Sequence, residues 1–306
     1  MPIYQDRVIS LVIQYLELSS IISHDILLIL DYSINPCKKL LSWIDPGKLN
    51  YDILSTIPAA ISLLEQNPDN INWEMLSRNP AAIHLLEKNI DKIDWGWLST
   101  NPAAISLMMK NPNKINWNIL SSNQNPKIIS LIERDISKTV WWLLSNNPAA
   151  VYLLEKNLDK IDWLLLSANS AAIHLLEKNP DKINWFNLSS NSAAIHLLEK
   201  NPDKINWSML STNPAAIQLL ENNIDKINWH CLSENPAAIC IIEKYPDKII
   251  WSTLSKNSSA IRLLADNQDK INWDELSNNK AIFESAQYPV RSCIWKAASE
   301  RREIIF

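Results

Sequence analysis

The sequence predicts an all-α solenoid or superhelix of about eleven 22-residue repeats, each containing two short helices, with N- and C-terminal helical caps. One segment, Asn169–Ser189 (NSAAIHLLEKNPDKINWFNLS), recurs almost letter for letter as Asn191–Ser211. Tryptophan recurs every 22 residues, with one gap of 24, at Trp73, Trp95, Trp117, Trp141, Trp163, Trp185, Trp207, Trp229, Trp251 and Trp273. A fixed period in this range is typical of stacked repeats.

The domain organisation follows from where the repeat begins and ends. Residues 1–34 do not match the repeat, residues 35–279 do, and residues 280–306 lose it after a degenerate copy. Terminal repeats have no neighbour on one side, so we interpret residues 1–34 and 280–306 as helical caps. We expect the stacked repeats to form a rod or superhelix about 100 Å long, because packed helices lie about 8–10 Å apart.

Each repeat begins its first helix at Asn-Pro or Asn-Ser, where an asparagine such as Asn169 suits the N-cap position. Pro180 lies in the turn that follows, and the second helix is expected at Trp185–Ser189. The chain has only 2 glycines, so asparagines such as Asn179 are expected to end helices in the left-handed conformation.

Charge and hydropathy disfavour two classes of partner. The net charge is -4 and the pI is about 5.8, so we expect no nucleic-acid partner. The apolar stretch from Ile9 to Leu30 is interrupted by polar residues that include Glu17 and Asp25. We interpret it as part of the N-terminal cap and expect no membrane partner.

The cysteines indicate the cellular compartment, and the lack of catalytic motifs argues against an enzyme. The 4 cysteines form no metal-type Cys-x-x-Cys pair, which favours free thiols and a cytoplasmic location. The sequence has no glycine-rich phosphate loop, nucleophile elbow, His-Glu-x-x-His motif or paired catalytic carboxylates. We therefore expect no enzymatic activity, no catalytic residues, no cofactor and no metal.

The block Leu-Ser-x-Asn-Pro-Ala-Ala-Ile-x-Leu-Leu-Glu-Lys-Asn-Pro-Asp-Lys-Ile-Asn-Trp resembles repeats in uncharacterised proteins of giant nucleocytoplasmic DNA viruses, over about residues 35–279. The resemblance implies a host-cytoplasm, virus-factory or virion setting and implies no catalytic residue. The layout of short helices is also similar to leucine-rich variant repeats, although the period and the tryptophan differ.

The two residues after each tryptophan vary most between repeats, and they are apolar in the middle of the array. They form a candidate partner-binding stripe, because exposed apolar patches mark interaction sites and tryptophan is a favoured contact residue. The alternative is that the column is half-buried and its larger residues fill local gaps. The stripe consists of Trp97, Ile119, Trp142, Leu164, Leu165 and Phe186.

Two further features admit both a functional and a plain interpretation. The repeat at residues 126–147 follows a two-residue insertion and departs from the consensus, through either a functional role or neutral drift. His84, His174 and His196 share one column, which favours surface imidazoles over a metal pair.

These observations together predict a non-enzymatic interaction module that binds a partner protein or peptide through the apolar stripe. The alternative is a structural, self-assembling protein of a virion or scaffold, in which the same stripe contacts a second copy of the chain.

Overall fold

The structure is a computed structural model that describes residues 38–134 and 136–285. The chain divides into two compact units, residues 1–42 with 283–306, and residues 43–282. The predicted N-terminal cap at 1–34 lies outside the described residues, as does the predicted C-terminal cap beyond residue 285.

The first unit contains a two-stranded antiparallel sheet. Strand β1, Lys38–Leu40, pairs with strand β2, Phe283–Ser285. Lys39 lies opposite Glu284, and their side chains form an ion pair at 3.2 Å. The copy of the repeat that starts at Pro36 in the sequence therefore has a strand where a helix was expected.

The second unit consists of the repeats and confirms the all-α solenoid. Each repeat contains two α-helices: a leucine helix, such as Ile83–Lys88, and a Trp helix, such as Trp95–Thr100. A 3₁₀ turn follows the leucine helix, as at Ile90–Lys92, and in most repeats another precedes it, as at Pro80–Ala82. Proline fits these turns because its fixed φ suits the first helical position and its missing N–H costs no bond there.

The helix bounds repeat with the sequence period. The Trp helices are Tyr51–Ser55, Trp73–Ser77, Trp95–Thr100, Trp117–Leu120, Trp141–Ser145, Trp163–Leu166, Trp185–Ser189, Trp207–Ser211, Trp229–Glu234, Trp251–Leu254 and Trp273–Leu276. The leucine helices are Ile61–Gln66, Ile83–Lys88, Ile105–Lys110, Pro126–Arg134, Val151–Glu155, Ile173–Lys178, Ile195–Lys200, Ile217–Glu221, Ile239–Lys244 and Ile261–Ala265.

The 3₁₀ turns fall into two groups. Those before leucine helices or their equivalents are Pro58–Ala60, Pro80–Ala82, Pro148–Ala150, Ser170–Ala172, Pro236–Ala238, Ser258–Ala260 and Lys280–Ile282. Those before Trp helices are Pro46–Lys48, Pro68–Asn70, Ile90–Lys92, Pro112–Lys114, Ile136–Lys138, Leu158–Lys160, Pro180–Lys182, Pro202–Lys204, Ile224–Lys226, Pro246–Lys248 and Gln268–Lys270.

The core is formed by leucine and alanine, whereas the tryptophans that mark the period are half-buried. Ala82, Leu86 and Leu98 of one repeat have no exposed surface. The ring of Trp73 is instead covered by a lysine of the next repeat, with Lys92 Nζ at 4.5 Å from the ring centroid. The same lysine contact joins neighbouring repeats at seven of these tryptophans, namely Trp73, Trp95, Trp117, Trp185, Trp207, Trp251 and Trp273.

The expectation that asparagines end helices in the left-handed conformation is wrong. Asn179 has φ -132° and ψ 63°. Its side-chain Nδ2 donates to the carbonyl oxygen of Leu175 at 2.8 Å, which satisfies one of the last helical carbonyls. A side-chain bond thus replaces the backbone geometry that glycine commonly provides at helix ends.

A second asparagine column forms a buried ladder across the repeats. Asn101 Oδ1 accepts from the backbone N–H of Ala103, which confirms the N-cap expected at this position. Its Nδ2 also donates to the carbonyl oxygens of Ser77 and Asn79 in the preceding repeat, both at 3.0 Å. The ladder consists of Asn79, Asn101, Asn123, Asn147, Asn169, Asn191, Asn213, Asn235, Asn257 and Asn279.

The repeat array closes on itself, so the solenoid is not the open rod or superhelix about 100 Å long that was expected. Within the array, the backbone N–H of Asn72 donates to Ser55 Oγ of the preceding repeat at 3.1 Å. The backbone N–H of Asn50 makes the same bond to Ser277 Oγ at 2.8 Å. The last repeat therefore contacts the first as any repeat contacts its neighbour, and we call this junction the seam.

A cation–π contact and a missing ladder bond also characterise the seam. Lys48 Nζ lies 4.7 Å from the ring centroid of Trp273, which matches the lysine contacts between other neighbours. In the first repeat, however, Ile57 occupies the position of the ladder asparagine and is 7% exposed. The asparagine ladder consequently stops at the seam.

The irregular repeat accommodates its insertion directly after the ladder residue Asn123 without interrupting the ladder. Its leucine helix, Pro126–Arg134, is longer than the others described, and Asn125 Nδ2 donates to the carbonyl oxygen of Pro102 at 2.7 Å. Asn147 still donates to the carbonyl oxygens of Ser121 and Asn123, at 3.1 and 2.9 Å. The stacking register therefore continues through residues 126–147.

Candidate partner-binding site

The concave side of the second unit is formed by the Trp helices. Neighbouring Trp helices approach one another more closely along the array than neighbouring leucine helices do. In a closed array, the side on which neighbours are closest faces inward. The residues that follow each tryptophan therefore lie on the inner side of the second unit.

The variable pair after each tryptophan separates into two columns with different burial. The first column is the residue directly after the tryptophan, and the second column is the next residue. Among the predicted site residues, Trp142, Leu164 and Phe186 belong to the first column and are exposed. Trp97, Ile119 and Leu165 belong to the second column and are half-buried.

Three consecutive repeats present large apolar side chains in the first column. Trp142 is 55% exposed, Leu164 is 52% exposed and Phe186 is 53% exposed, and we call these three residues the apolar patch. The other members of this column are polar or glycine: Asp52, Glu74, Gly96, Asn118, Ser208, His230, Ser252 and Asp274.

A side-chain bond fixes the spacing within the apolar patch. Asn187 Nδ2 donates to the carbonyl oxygen of Leu164 in the preceding repeat at 2.8 Å. Asn187 directly follows Phe186, so this bond ties together the backbones that carry Leu164 and Phe186. The patch is consequently held by short helices whose relative position is set before any partner binds.

Polar groups cover the predicted site residue that lies furthest from the patch. The indole Nε1–H of Trp97 donates to Glu74 Oε1 at 3.1 Å, and the guanidinium carbon of Arg78 lies 5.0 Å from the ring centroid. Ile119 lies beside Gly96, since a Cβ added at Gly96 would be 3.8 Å from Ile119 Cδ1. Both residues are half-buried on the Trp helices that precede the patch in the chain.

The same first column carries three exposed carboxylates in the consecutive repeats that meet around the seam. They belong to Asp274, Asp52 and Glu74, and we call them the acidic cluster. Asn50 Nδ2 donates across the seam to Asp274 Oδ1 at 3.4 Å, and Asn72 Nδ2 donates to Asp52 Oδ1 at 2.8 Å. Closure of the array brings Asp274 beside the repeats of Asp52 and Glu74, which is why the linear sequence did not reveal the cluster.

The three histidines that share a column do not pair with one another. Each imidazole Nε2 instead contacts a glutamate of the preceding repeat: His84 with Glu65 at 2.9 Å, and His174 with Glu155 at 2.7 Å. His196 makes the equivalent contact with a glutamate at 2.8 Å. The sequence interpretation overlooked these carboxylates because they come from a different column of the neighbouring repeat.

One ionisable cluster outside the concave side has shifted pKa values. Lys156 Nζ lies 3.0 Å from Glu133 Oε1, and the Tyr152 hydroxyl donates to Glu133 Oε2 at 2.9 Å. The hydrogen bond from Lys156 and that from Tyr152 lower the pKa of Glu133. Desolvation, followed by the hydrogen bond to Glu133, raises the pKa of Tyr152.

In residues 38–134 and 136–285, no group of three or more His, Cys, Asp or Glu side chains is arranged to hold a metal ion. No helix in this part of the chain has the length and hydropathy needed to cross a membrane.

Comparisons of the chain with protein-family models, with curated protein sequences and with solved structures found no match.

Proposed function

We propose that the protein is a non-enzymatic interaction module that binds a segment of a partner protein through the apolar patch. The observation that carries the proposal is the exposure of Trp142, Leu164 and Phe186, each more than half exposed, in three consecutive repeats. The largest exposed apolar patch of a monomer is often functional. Tryptophan and other aromatic residues are also enriched at protein interfaces.

The comparison between repeats indicates that folding does not require apolar residues at these positions. Asn118, Ser208 and Ser252 occupy the same first column in Trp helices with the same bounds or nearly so. A polar residue is therefore compatible with the local packing. Three adjacent apolar side chains cost solubility without filling the core, which supports a binding role.

The size of the apolar patch favours a small contact. A large aromatic side chain contributes about 150–250 Å², so three half-exposed side chains present about 300 Å². A stable protein–protein interface buries about 800 Å² on each partner. The patch fits one short segment of a partner, and by itself it is too small for the stable self-assembly that is the alternative function.

The proposal also includes a cytoplasmic location for the protein. Cys231 and Cys240, which lie among the described residues, are free thiols. Free thiols are typical of reducing compartments.

The experiment that tests the proposal is a selection of random peptides displayed on phage against the full chain. The matched variant is Trp142→Ser/Leu164→Ser/Phe186→Ser, which places in three repeats the residue found at Ser208 and Ser252. We expect peptides that are enriched on the wild-type protein and are lost on the variant, with circular dichroism showing that both proteins are folded.

A control variant removes an exposed leucine from a different surface. Leu158 is 49% exposed in a 3₁₀ turn, and the equivalent position in another repeat is Gln268. Leu158→Gln should retain all selected peptides. If no selected peptide distinguishes the wild type from the triple serine variant, the binding function proposed for the apolar patch is wrong. Sedimentation velocity of the wild type tests self-assembly, which would appear as concentration-dependent association lost in the same variant.

A further inference from the structure

We infer that the partner segment is a basic amphipathic helix, with its apolar face on the apolar patch and its lysines or arginines facing the acidic cluster. This inference rests on the proposed function and specifies the chemistry of the partner. It comes from the charges of the first-column side chains. Closure of the array brings the first and last repeats together, so these side chains form one continuous inner surface.

The acidic cluster and the apolar patch lie on opposite sides of the closed array. The central repeat of the cluster carries Asp52, and the central repeat of the patch carries Leu164. Counted along the eleven Trp helices, four repeats lie between these two positions in one direction and five in the other. A ligand in the inner space therefore meets apolar side chains on one side and carboxylates on the other.

The charges near each region are distinct. Around the seam, Glu275 of the second column adds a fourth carboxylate to the acidic cluster. In the three Trp helices that carry these carboxylates, and in the residue that follows each helix, Arg78 is the one basic residue. With Lys48 and Lys92, whose amines lie over the rings of Trp273 and Trp73, these helices have four carboxylates against three basic side chains. The Trp helices that bear the apolar patch, Trp141–Ser145, Trp163–Leu166 and Trp185–Ser189, contain no charged residue. Asn50, Asn72 and Trp97, which donate to the three first-column carboxylates, are neutral, so an acidic or uncharged segment would leave the negative charge of the cluster unbalanced.

The width of the inner space suits one helix. The closest Cα atoms of neighbouring Trp helices that pack together are no more than 8 Å apart. Eleven such steps enclose a circle at most about 28 Å across between backbones, if each step spans about one helix-packing distance. A helix with its side chains is about 10–12 Å wide. After the side chains of both walls are allowed for, the space has room for no more than a single helix.

The probe is a synthetic 18-residue helix with leucines at i, i+3, i+4 and i+7 positions and lysines on the opposite face. The matched peptide keeps every leucine and replaces every lysine by glutamate. Binding of both peptides to the full chain is measured by fluorescence anisotropy in low-salt and physiological-salt buffer. We expect the lysine peptide to bind, and to bind at least about tenfold more tightly than the glutamate peptide.

Two variants of the protein separate the contributions. Asp52→Asn/Glu74→Gln/Asp274→Asn removes the charge of the acidic cluster and should weaken the lysine peptide about tenfold, since each exposed charge pair contributes modestly. The triple serine variant of the apolar patch should abolish binding of the lysine peptide. Circular dichroism must show each variant folded before its affinity is compared.

Each other outcome overturns the inference. If both peptides bind equally and the triple serine variant abolishes both, the partner is not basic, although the proposed function stands. If the lysine peptide binds regardless of the triple serine variant, its binding is non-specific charge attraction. If neither peptide binds, the partner is not an amphipathic helix, and the phage selection alone decides the proposed function.

Discussion

Replacing one ladder asparagine by alanine tests whether hydrogen bonds across repeats hold the array together. Asn101→Ala removes two Nδ2 bonds, to the carbonyl oxygens of Ser77 and Asn79, and the N-cap bond accepted from Ala103. Asn101 has no exposed surface, so water cannot replace these bonds without opening the interface between two repeats.

The expected cost follows from the partners that are left behind. Loss of an N-cap side chain costs about 1 kcal/mol. The Ser77 carbonyl oxygen loses a buried donor, which costs about 2 kcal/mol. The Asn79 carbonyl oxygen retains the bond from the Ala82 N–H at 3.1 Å and adds little. We therefore expect Asn101→Ala to lower the free energy of unfolding by about 3 kcal/mol.

Asn89→Ala is the matched control within the same repeat. Asn89 is half-buried, and its Nδ2 donates to the carbonyl oxygen of Leu85 at 2.9 Å without crossing to a neighbouring repeat. Its loss should cost about 1 kcal/mol. Urea unfolding followed by circular dichroism and tryptophan fluorescence measures both variants under identical conditions. Equal costs for the two variants, or a cost of Asn101→Ala below about 1 kcal/mol, would refute the ladder as a stabilising element.

Two further predictions concern the seam and the response to acid. Ser277→Ala removes the acceptor of the Asn50 N–H, so hydrogen exchange at that amide should accelerate about tenfold, and unchanged exchange would contradict closure of the array. Hydrogen bonds from Lys156 and Tyr152 lower the pKa of folded Glu133, so their stabilising effect is present above its unfolded pKa and is lost as pH falls through the folded value. Glu133→Gln should therefore flatten the fall in thermal stability on the acid side, and thermal melts of both proteins across that pH range measure the difference.

The periodic sequence was sufficient to predict the repeat and the helix starts within each repeat. The spacing of Trp185 and Trp207 predicted the repeat, and Asn169 was placed correctly as the N-cap of its turn. These features depend on residues within one repeat, because helix starts and apolar faces are set by nearby side chains. The role of Asn179 was misjudged since its side chain, not a left-handed backbone, satisfies the helix end.

Contacts between repeats decide which residues of the predicted stripe are exposed, and the sequence did not show these contacts. The sequence grouped Leu164 and Leu165 in one stripe, yet a side chain one position further along a helix points about a quarter-turn away. Leu164 is consequently exposed, whereas Leu165 is half-buried against the neighbouring repeats. Burial of this kind depends on how repeats stack, and the pattern of a single repeat does not contain it.

The sequence by itself determined the period, the two helices of each repeat and the apolar composition of the central repeats. Tertiary structure alone decided that the array closes, that Asn50 meets Ser277, and that Asp274 joins Asp52. The physical reason is that closure depends on the small rotation between neighbours, which packing at every interface sets and which accumulates over the whole array. The total rotation over the array cannot be read from any single repeat. The acidic cluster therefore forms only when the first and last repeats are in contact.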